Sequence, residues 1–342
     1  MAETNGKGGH GPRCVALVGP QGSGKTTLLE SILWITGAIT RKGSQSQKNT
    51  VGDGSPEARD RLMSVEVAAA ATTYLGDQFT FIDCPGSIEY LQETLNTLTG
   101  VDAVVVVAEP DPAKAPILQP MLKRLSDLTI PHFLFVNKID KAPGSMRDLL
   151  LALQPAAPKP LVLRQVPTWK DGVATGFVDL ALDRAFVYKE HAPSEVIAIP
   201  TDVADRKKEA RFQMLEKLAD YDDHLMEELL SDIEPPRDEV FADLSRELAE
   251  GLIVPVLIGS AERDNGVRRL LKALRHECPD VTRAATRQGV AANGDDTVLQ
   301  VVKTMHGAGG KLSLARIITL GLRVDLIKVL LCPFWVRPQL YL

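Results

Sequence analysis

Five short apolar runs punctuate the chain: CVALVG from Cys14, FTFIDC from Phe79, VDAVVVVAE from Val101, PHFLFVNK from Pro131 and LIVPVLIGS from Leu252. Each is rich in branched or aromatic residues and apolar at successive positions, which predicts strands buried on both faces of a sheet. Between them the period changes. Ile88, Leu91, Leu95 and Leu98 fall on one helical face after DCPGS, and Val267, Leu270, Leu271 and Leu274 do so after DNG. Strand and helix alternate, so the prediction is an α/β fold, a mostly parallel sheet covered by helices on both sides.

The alternation lapses between NKID at Asn137–Asp140 and the last apolar run. Residues 154–250 carry prolines, strand-like pieces and charged helices of their own, and are expected to form an inserted α+β subdomain. Within it, the segment from Arg206 to Ser231 predicts a helix with Phe212, Leu215, Leu218, Met226 and Leu229 on a core-facing stripe and an acidic far side. Residues 281–295 turn small and polar, as a linker does. From Thr297 to Ile317 the pattern predicts two strands around a glycine-rich turn, the opening of a β domain over 296–342. The expected division is thus a tail over 1–13, one domain from 14–153 and 251–280, the insert, the linker and the β segment.

Composition narrows the class. A length of 342 residues with 44% hydrophobic content is ample for two or three cores, and a net charge of −5 supplies no general basic field for nucleic acid. Sequence-specific DNA binding is not expected. Cys14, Cys84, Cys278 and Cys332 lie far apart, and the six histidines show no metal-ligand spacing, which fits a reducing, cytoplasmic setting. The first residues are polar and glycine-rich without an apolar signal segment. The apolar stretch after Thr319 is broken by Arg323, Asp325, Lys328 and two prolines, so no membrane span is expected.

Four motifs carry chemistry. Gly19, Pro20, Gln21, Gly22, Ser23, Gly24, Lys25, Thr26 and Thr27 spell a phosphate loop between a strand and a helix. Its backbone amides can cradle phosphate oxygens, Lys25 can neutralise them and Thr26 can ligate magnesium. The loop alone does not separate ATP from GTP. Asp83, Cys84, Pro85 and Gly86 form D-x-P-G at a strand end, where Asp83 suits the magnesium shell and Gly86 the terminal phosphate. Asn137, Lys138 and Asp140 form N-K-x-D. A carboxylate at 140 can accept from N1–H and the 2-amino group of guanine, donors that adenine lacks. Gly259, Ser260 and Ala261 follow the last strand, where a backbone amide can reach guanine O6. The expected ligands are therefore GTP or GDP with Mg2+.

In this order, phosphate loop, DCPG, NKID, a large insert and then PVLIGSAERDNG, the chain resembles the translational GTPases, and the insert's position is similar to that of elongation factor G. The resemblance runs from about Val15 to Ile317. It implies a phosphate-loop G domain followed by a β-barrel domain, GTP hydrolysis coupled to ribosomal translocation, and an insert that touches the ribosomal stalk protein. Two positions depart. Ser87 stands where the family carries the histidine that positions the attacking water, which implies slower hydrolysis. Counting back from AATT puts the magnesium-ligating threonine at Glu66; a slip of a residue or two makes Ser64 or Thr50 the candidate. Beyond Ile317 the likeness stops, and the expectation is a barrel truncated or frame-shifted within the second domain. Three functions follow: a slow or ribosome-dependent GTPase, a non-hydrolysing GTP-binding switch, or an inactive remnant.

Overall fold

A computed structural model describes residues 12–142, 146–189, 192–291, 297–307, 310–319 and 330–331. The N-terminal tail to residue 11, most of the predicted linker's end and nearly all of the apolar C-terminal stretch lie outside these.

The first apolar run is strand β1 (Arg13–Val18), which leads into helix α1 (Lys25–Thr36). A short helix α2 (Pro56–Arg61) precedes the hairpin of β2 (Ala68–Tyr74) and β3 (Asp77–Asp83). There follow α3 (Leu91–Leu98), β4 (Ala103–Ala108), α4 (Ala115–Asp127), β5 (His132–Val136) and α5 (Met146–Leu153). Strand β6 (Leu161–Leu163) comes next; β7 (Gln165–Lys170), β8 (Val173–Asp179), β9 (Arg184–Lys189) and β10 (Ala192–Ile197) make a four-stranded antiparallel sheet. Helices α6 (Thr201–Ala219), α7 (Asp223–Leu230) and α8 (Arg237–Glu250) complete it. The chain then returns through β11 (Val254–Ile258) and α9 (Val267–Glu277).

The main sheet has seven strands in the order β2-β3-β1-β4-β5-β11-β6, parallel except for β2. All five predicted runs supply its centre. Alternate residues of β1 divide between two cores, as a strand covered on both faces requires. Val15 and Leu17 pack with Leu28, Leu29 and Ile32 of α1 and Leu270, Leu271 and Leu274 of α9; Cys14, Ala16 and Val18 pack with Leu98, Leu122, Leu125 and Leu149 of α3 to α5. At about 1.5–3 kcal/mol per fully buried large aliphatic side chain, these two cores dominate the fold.

The strand order fixes the site. β1 lies between β3 and β4, and β5 between β4 and β11, so the turns leaving β1, β3, β4, β5 and β11 gather at one edge, the carboxyl ends where α/β sheets bind ligands.

Three sequence expectations change. β6 pairs in parallel with β11, so the first strand of 154–250 extends the main sheet. The predicted helix over 206–231 is two: α6 ends at Ala219, and Asp222 caps α7 by accepting from His224 N at 3.0 Å and Leu225 N at 3.1 Å. Within α6 the buried face runs through Met214, Leu215 and Leu218, while Phe212, placed on the predicted stripe, is 55% exposed. The expected linker begins as helix α10 (Val281–Arg287), capped by Asp280, with Ala284 and Ala285 buried. Two buried ion pairs tie the β6–β8 segment to α9: Arg164 with Glu277 at 2.6 Å, and Asp179 with Arg269.

The predicted strand pair is present as β12 (Val298–Gly307) and β13 (Gly310–Thr319), antiparallel, with a two-residue strand β14 (Leu330–Leu331) beside β13. It docks on the main sheet through Arg316, whose guanidinium meets the buried Asp102 at 2.9 Å. Among the described residues no helix is long and apolar enough to cross a membrane.

Candidate nucleotide-binding site

The turn after β1 is shaped by glycine where nothing larger fits. Gly19 has φ 143°, and a Cβ there would stand 2.3 Å from Val107 O; Gly24 has φ 93°, and its Cβ would meet Asn137 Nδ2 at 2.4 Å. The amino end of α1 therefore opens against neighbouring turns without side chains in the way, as an anion site needs. Lys25, at the first position of α1, curls back and donates to Gly19 O at 2.9 Å and Pro20 O at 3.0 Å. Burial lowers its pKa, against the opposing pull of Asp83, Cys84 and Asp53. Gly86 closes over the ammonium so tightly that a Cβ would lie 2.3 Å from Lys25 Nζ and 2.7 Å from Gln21 N.

Beside the lysine is a cluster of hard oxygen donors. Thr26 Oγ1 donates to Asp83 Oδ2 at 2.7 Å and lies 3.1 Å from Ser64 Oγ, which in turn donates to Asp53 Oδ1 at 2.7 Å. Thr50 Oγ1 donates to the other oxygen of Asp53 at 3.1 Å. Asp83 Oδ1 is buried without a hydrogen-bond partner. Burial pushes the Asp83 carboxyl up to about 7, with Asp53 and Glu30 adding to the rise and Thr26 and Lys25 opposing it. Three hydroxyls and two carboxylates, one with an orphaned oxygen, suit a divalent cation of the Mg2+ type. Such an ion would be held by Thr26, Ser64 and Asp83.

Glu66 is not brought to the cluster; its carboxylate is spent on Lys303 of β12. Ser64 stands there instead, because α2, capped by Ser55 and started by Pro56, ends at Leu62 with φ 52° and turns Ser64 inward. Thr50 reaches only Asp53.

The loop from 43 to 64 is moored to α1 by Glu30, which accepts from Gly43 N at 2.8 Å and Val51 N at 2.5 Å. It walls a cleft of about 260 Å³ shared with Gln21, Gly22, Thr27 and Ser87. Ser87 is half-buried on that wall and makes no side-chain cap bond to the turn that follows it. Cys84 faces the core, where burial raises its thiol, and Pro85 is buried and accepts from Thr94. Ser23 is buried and its carbonyl accepts from Asn137.

The turn after β5 joins the phosphate loop to the loop after β11. Asn137 donates through Nδ2 to Ser23 O and accepts at Oδ1 from Ala261 N, both at 2.8 Å. Lys138, at φ 58°, donates to Gly22 O at 2.6 Å. Asp140 sits in the following turn with its side chain 5% exposed; Oδ2 is 3.5 Å from Arg263, and Oδ1 is buried without a hydrogen bond. That oxygen is an acceptor held ready for a donor from outside the chain.

Gly259, Ser260 and Ala261 form the turn after β11, bonded within the chain. Their amides donate to Val136 O, Asn265 O and Asn137 Oδ1 respectively. All three are consumed in holding the loop, so this segment braces Asn137 and Ile139, whose amide donates to Gly259 O. Asp53, Glu30 and Glu109 were not singled out from the sequence; only their proximity in the fold gives them meaning.

A phosphate loop, a cluster of hard oxygen donors and a buried acceptor along the carboxyl ends of a parallel sheet define a phosphate-loop nucleotide-binding protein. Comparison with known proteins narrows this. The profile of the elongation factor Tu GTP binding domain matches residues 11–280. The chain is 46% identical over 306 residues to the elongation factor G-like protein of Synechocystis sp., covering 89% of this chain and 46% of that one. A crystal structure from Thermus thermophilus superposes with a TM-score of 0.78 at 27% identity, over 90% of this chain and 45% of that chain. The chain belongs to the elongation factor Tu GTP-binding domain family of translational GTPases. It spans less than half the length of the curated relative.

Proposed function

We propose that the chain binds GTP and GDP with Mg2+, excludes ATP, and hydrolyses GTP slowly or only when stimulated by the ribosome. The observation that carries the base preference is Asp140: a buried carboxylate oxygen without a hydrogen bond, beside a turn tied to the phosphate loop by Asn137 and Lys138. Guanine brings two N–H donors to such a group; adenine would leave the buried Oδ1 without a donor. Gly19, Pro20, Gln21, Gly22, Ser23, Gly24, Lys25, Thr26 and Thr27 hold the phosphates, Lys25 bears on the developing charge, and Asp83 with Thr26 and Ser64 takes the cation. A bound magnesium ion supplies charge neutralisation at the outer phosphates. The assay is displacement of a fluorescent GDP, and equal competition by ATP overturns the proposal.

On this reading, residues 14–153 and 251–280 form the G domain, 154–250 an insert that meets a ribosomal stalk protein, and 296 onward the start of a β-barrel domain. The working site is cytoplasmic, and the hydrolytic cycle accompanies translocation. A second reading is favoured by Ser87 on the cleft wall: a GTP-binding switch that does not hydrolyse. A serine cannot supply the general-base or water-positioning help of a histidine, a contribution of about 10²- to 10⁴-fold. Single-turnover phosphate release with and without ribosomes separates the two, since brisk release with ribosomes rejects the switch.

A further inference from the structure

Glu109 is the first residue beyond β4, and β4 lies between β1 and β5. A side chain leaving the strand there stands between the phosphate loop and the 137–140 turn. Its carboxylate accepts from Lys138 through one oxygen and from Lys114 through the other. Glu109 is only 15% exposed, and Lys138 Nζ spans from it to Gly22 O at 2.6 Å. The ammonium of Lys138 is therefore held at both ends of its reach, by a carbonyl of the phosphate loop and by a carboxylate from a third turn.

We infer that Glu109 is a positioning residue for guanine-nucleotide binding, fixing the Lys138 side chain as a rail along the purine plane, with Lys114 completing the charge balance. This rests on the proposed guanine-nucleotide site. Lysine is a flexible stem with a point charge, and a chain left free to choose rotamers presents no defined surface to a base. A carboxylate near a triphosphate would ordinarily be repelled. Two ammonium groups on one carboxylate leave that corner net positive, so Glu109 can orient Lys138 without opposing the phosphates. Burial would raise the Glu109 carboxyl, but its hydrogen bonds to Lys114 and Lys138 and their charges outweigh that and keep it below its ordinary range.

The test is equilibrium titration of the full chain with GDP and GTP in the presence of Mg2+. Glu109→Gln weakens both nucleotides alike by about 5-fold, because the pair bears on the base side and not on the γ-phosphate. Glu109→Asp, which keeps the charge, recovers part of the loss. In a Lys138→Met background the Glu109→Gln change costs less than about 2-fold, the non-additivity expected of a residue acting through another. A role confined to packing would give the same loss in both backgrounds, and that result overturns the inference, as does unchanged affinity of Glu109→Gln. If the unaltered chain binds neither GDP nor GTP, the guanine site itself falls, an outcome distinct from normal binding by both it and the variant.

Discussion

Replacing Asp140 by asparagine probes the base preference with little change of volume. The side chain is 5% exposed, its Oδ1 accepts no hydrogen bond, and its ion-pair partner among the described residues, Arg263, is 3.5 Å away and 59% exposed. That surface-facing pair contributes little by itself. The loss on substitution is therefore nearly all on the ligand side. Two charge-assisted hydrogen bonds to guanine at about 1.5–3 kcal/mol each give a total of about 3–6 kcal/mol, or roughly 10²- to 10⁴-fold weaker GDP binding. An asparagine oriented with its amide nitrogen toward the base presents a donor where guanine has donors. The same amide matches a purine with a carbonyl at position 2, so xanthosine diphosphate gains where GDP loses. Competition of GDP, XDP and ADP against a fluorescent guanine nucleotide measures all three. GDP affinity within about 3-fold of the unaltered chain, or no gain for XDP, refutes the assignment of Asp140 to the base.

Other expectations follow from single contacts. Ser64→Ala removes the hydroxyl 3.1 Å from Thr26 Oγ1, and the Mg2+ concentration for half-maximal GTP binding rises by about 10-fold in a metal titration. Ser87→His raises ribosome-stimulated phosphate release by at least about 10-fold while GDP affinity stays within about 2-fold. Arg316→Met leaves Asp102, fully buried and bonded otherwise to Cys14 N at 2.6 Å, without its cation; a loss of about 3 kcal/mol in urea unfolding and protease cleavage around the released β12–β13 hairpin are expected. His132 is buried in β5, where desolvation holds its imidazole down at about 4, well below the ordinary histidine range. The unfolded chain thus takes up the proton first, so the His132 contribution to stability is complete above pH about 6.5 and falls by up to about 3 kcal/mol as pH drops toward about 4. His132→Leu flattens that decline in urea midpoints taken at neutral and at mildly acidic pH.

What was legible in the sequence was local. The strands at Cys14, Phe79, Val101, Pro131 and Leu252 are continuous apolar runs, and the glycines at 19 and 24 mark a turn whose geometry is set by its own residues. What was not legible depends on how distant segments close. Glu66 and Ser64 differ by two positions, and only the end of α2 at Leu62 decides which one turns inward. The acidic carboxyl at 66 finds Lys303, far along the chain, a pairing no local pattern encodes. Likewise the amides of Gly259, Ser260 and Ala261 looked available in a strand-end turn, yet Val136, Asn265 and Asn137 consume them. The break between α6 and α7 was the exception. Asp222 before an apolar run is an N-cap signal visible in the chain, outweighed by a hydrophobic stripe that continued past it. Glu109 carries no motif at all, and its position next to both lysines follows from strand order.

If a buried carboxylate and a phosphate loop on one sheet edge select guanine nucleotides, calorimetric titration of the full chain with Mg2+ and either GDP or ADP must distinguish the two. GDP should bind saturably, one molecule per chain, while ADP gives no measurable heat. Comparable affinities for the two would mean that the carboxylate at position 140 does not read the base.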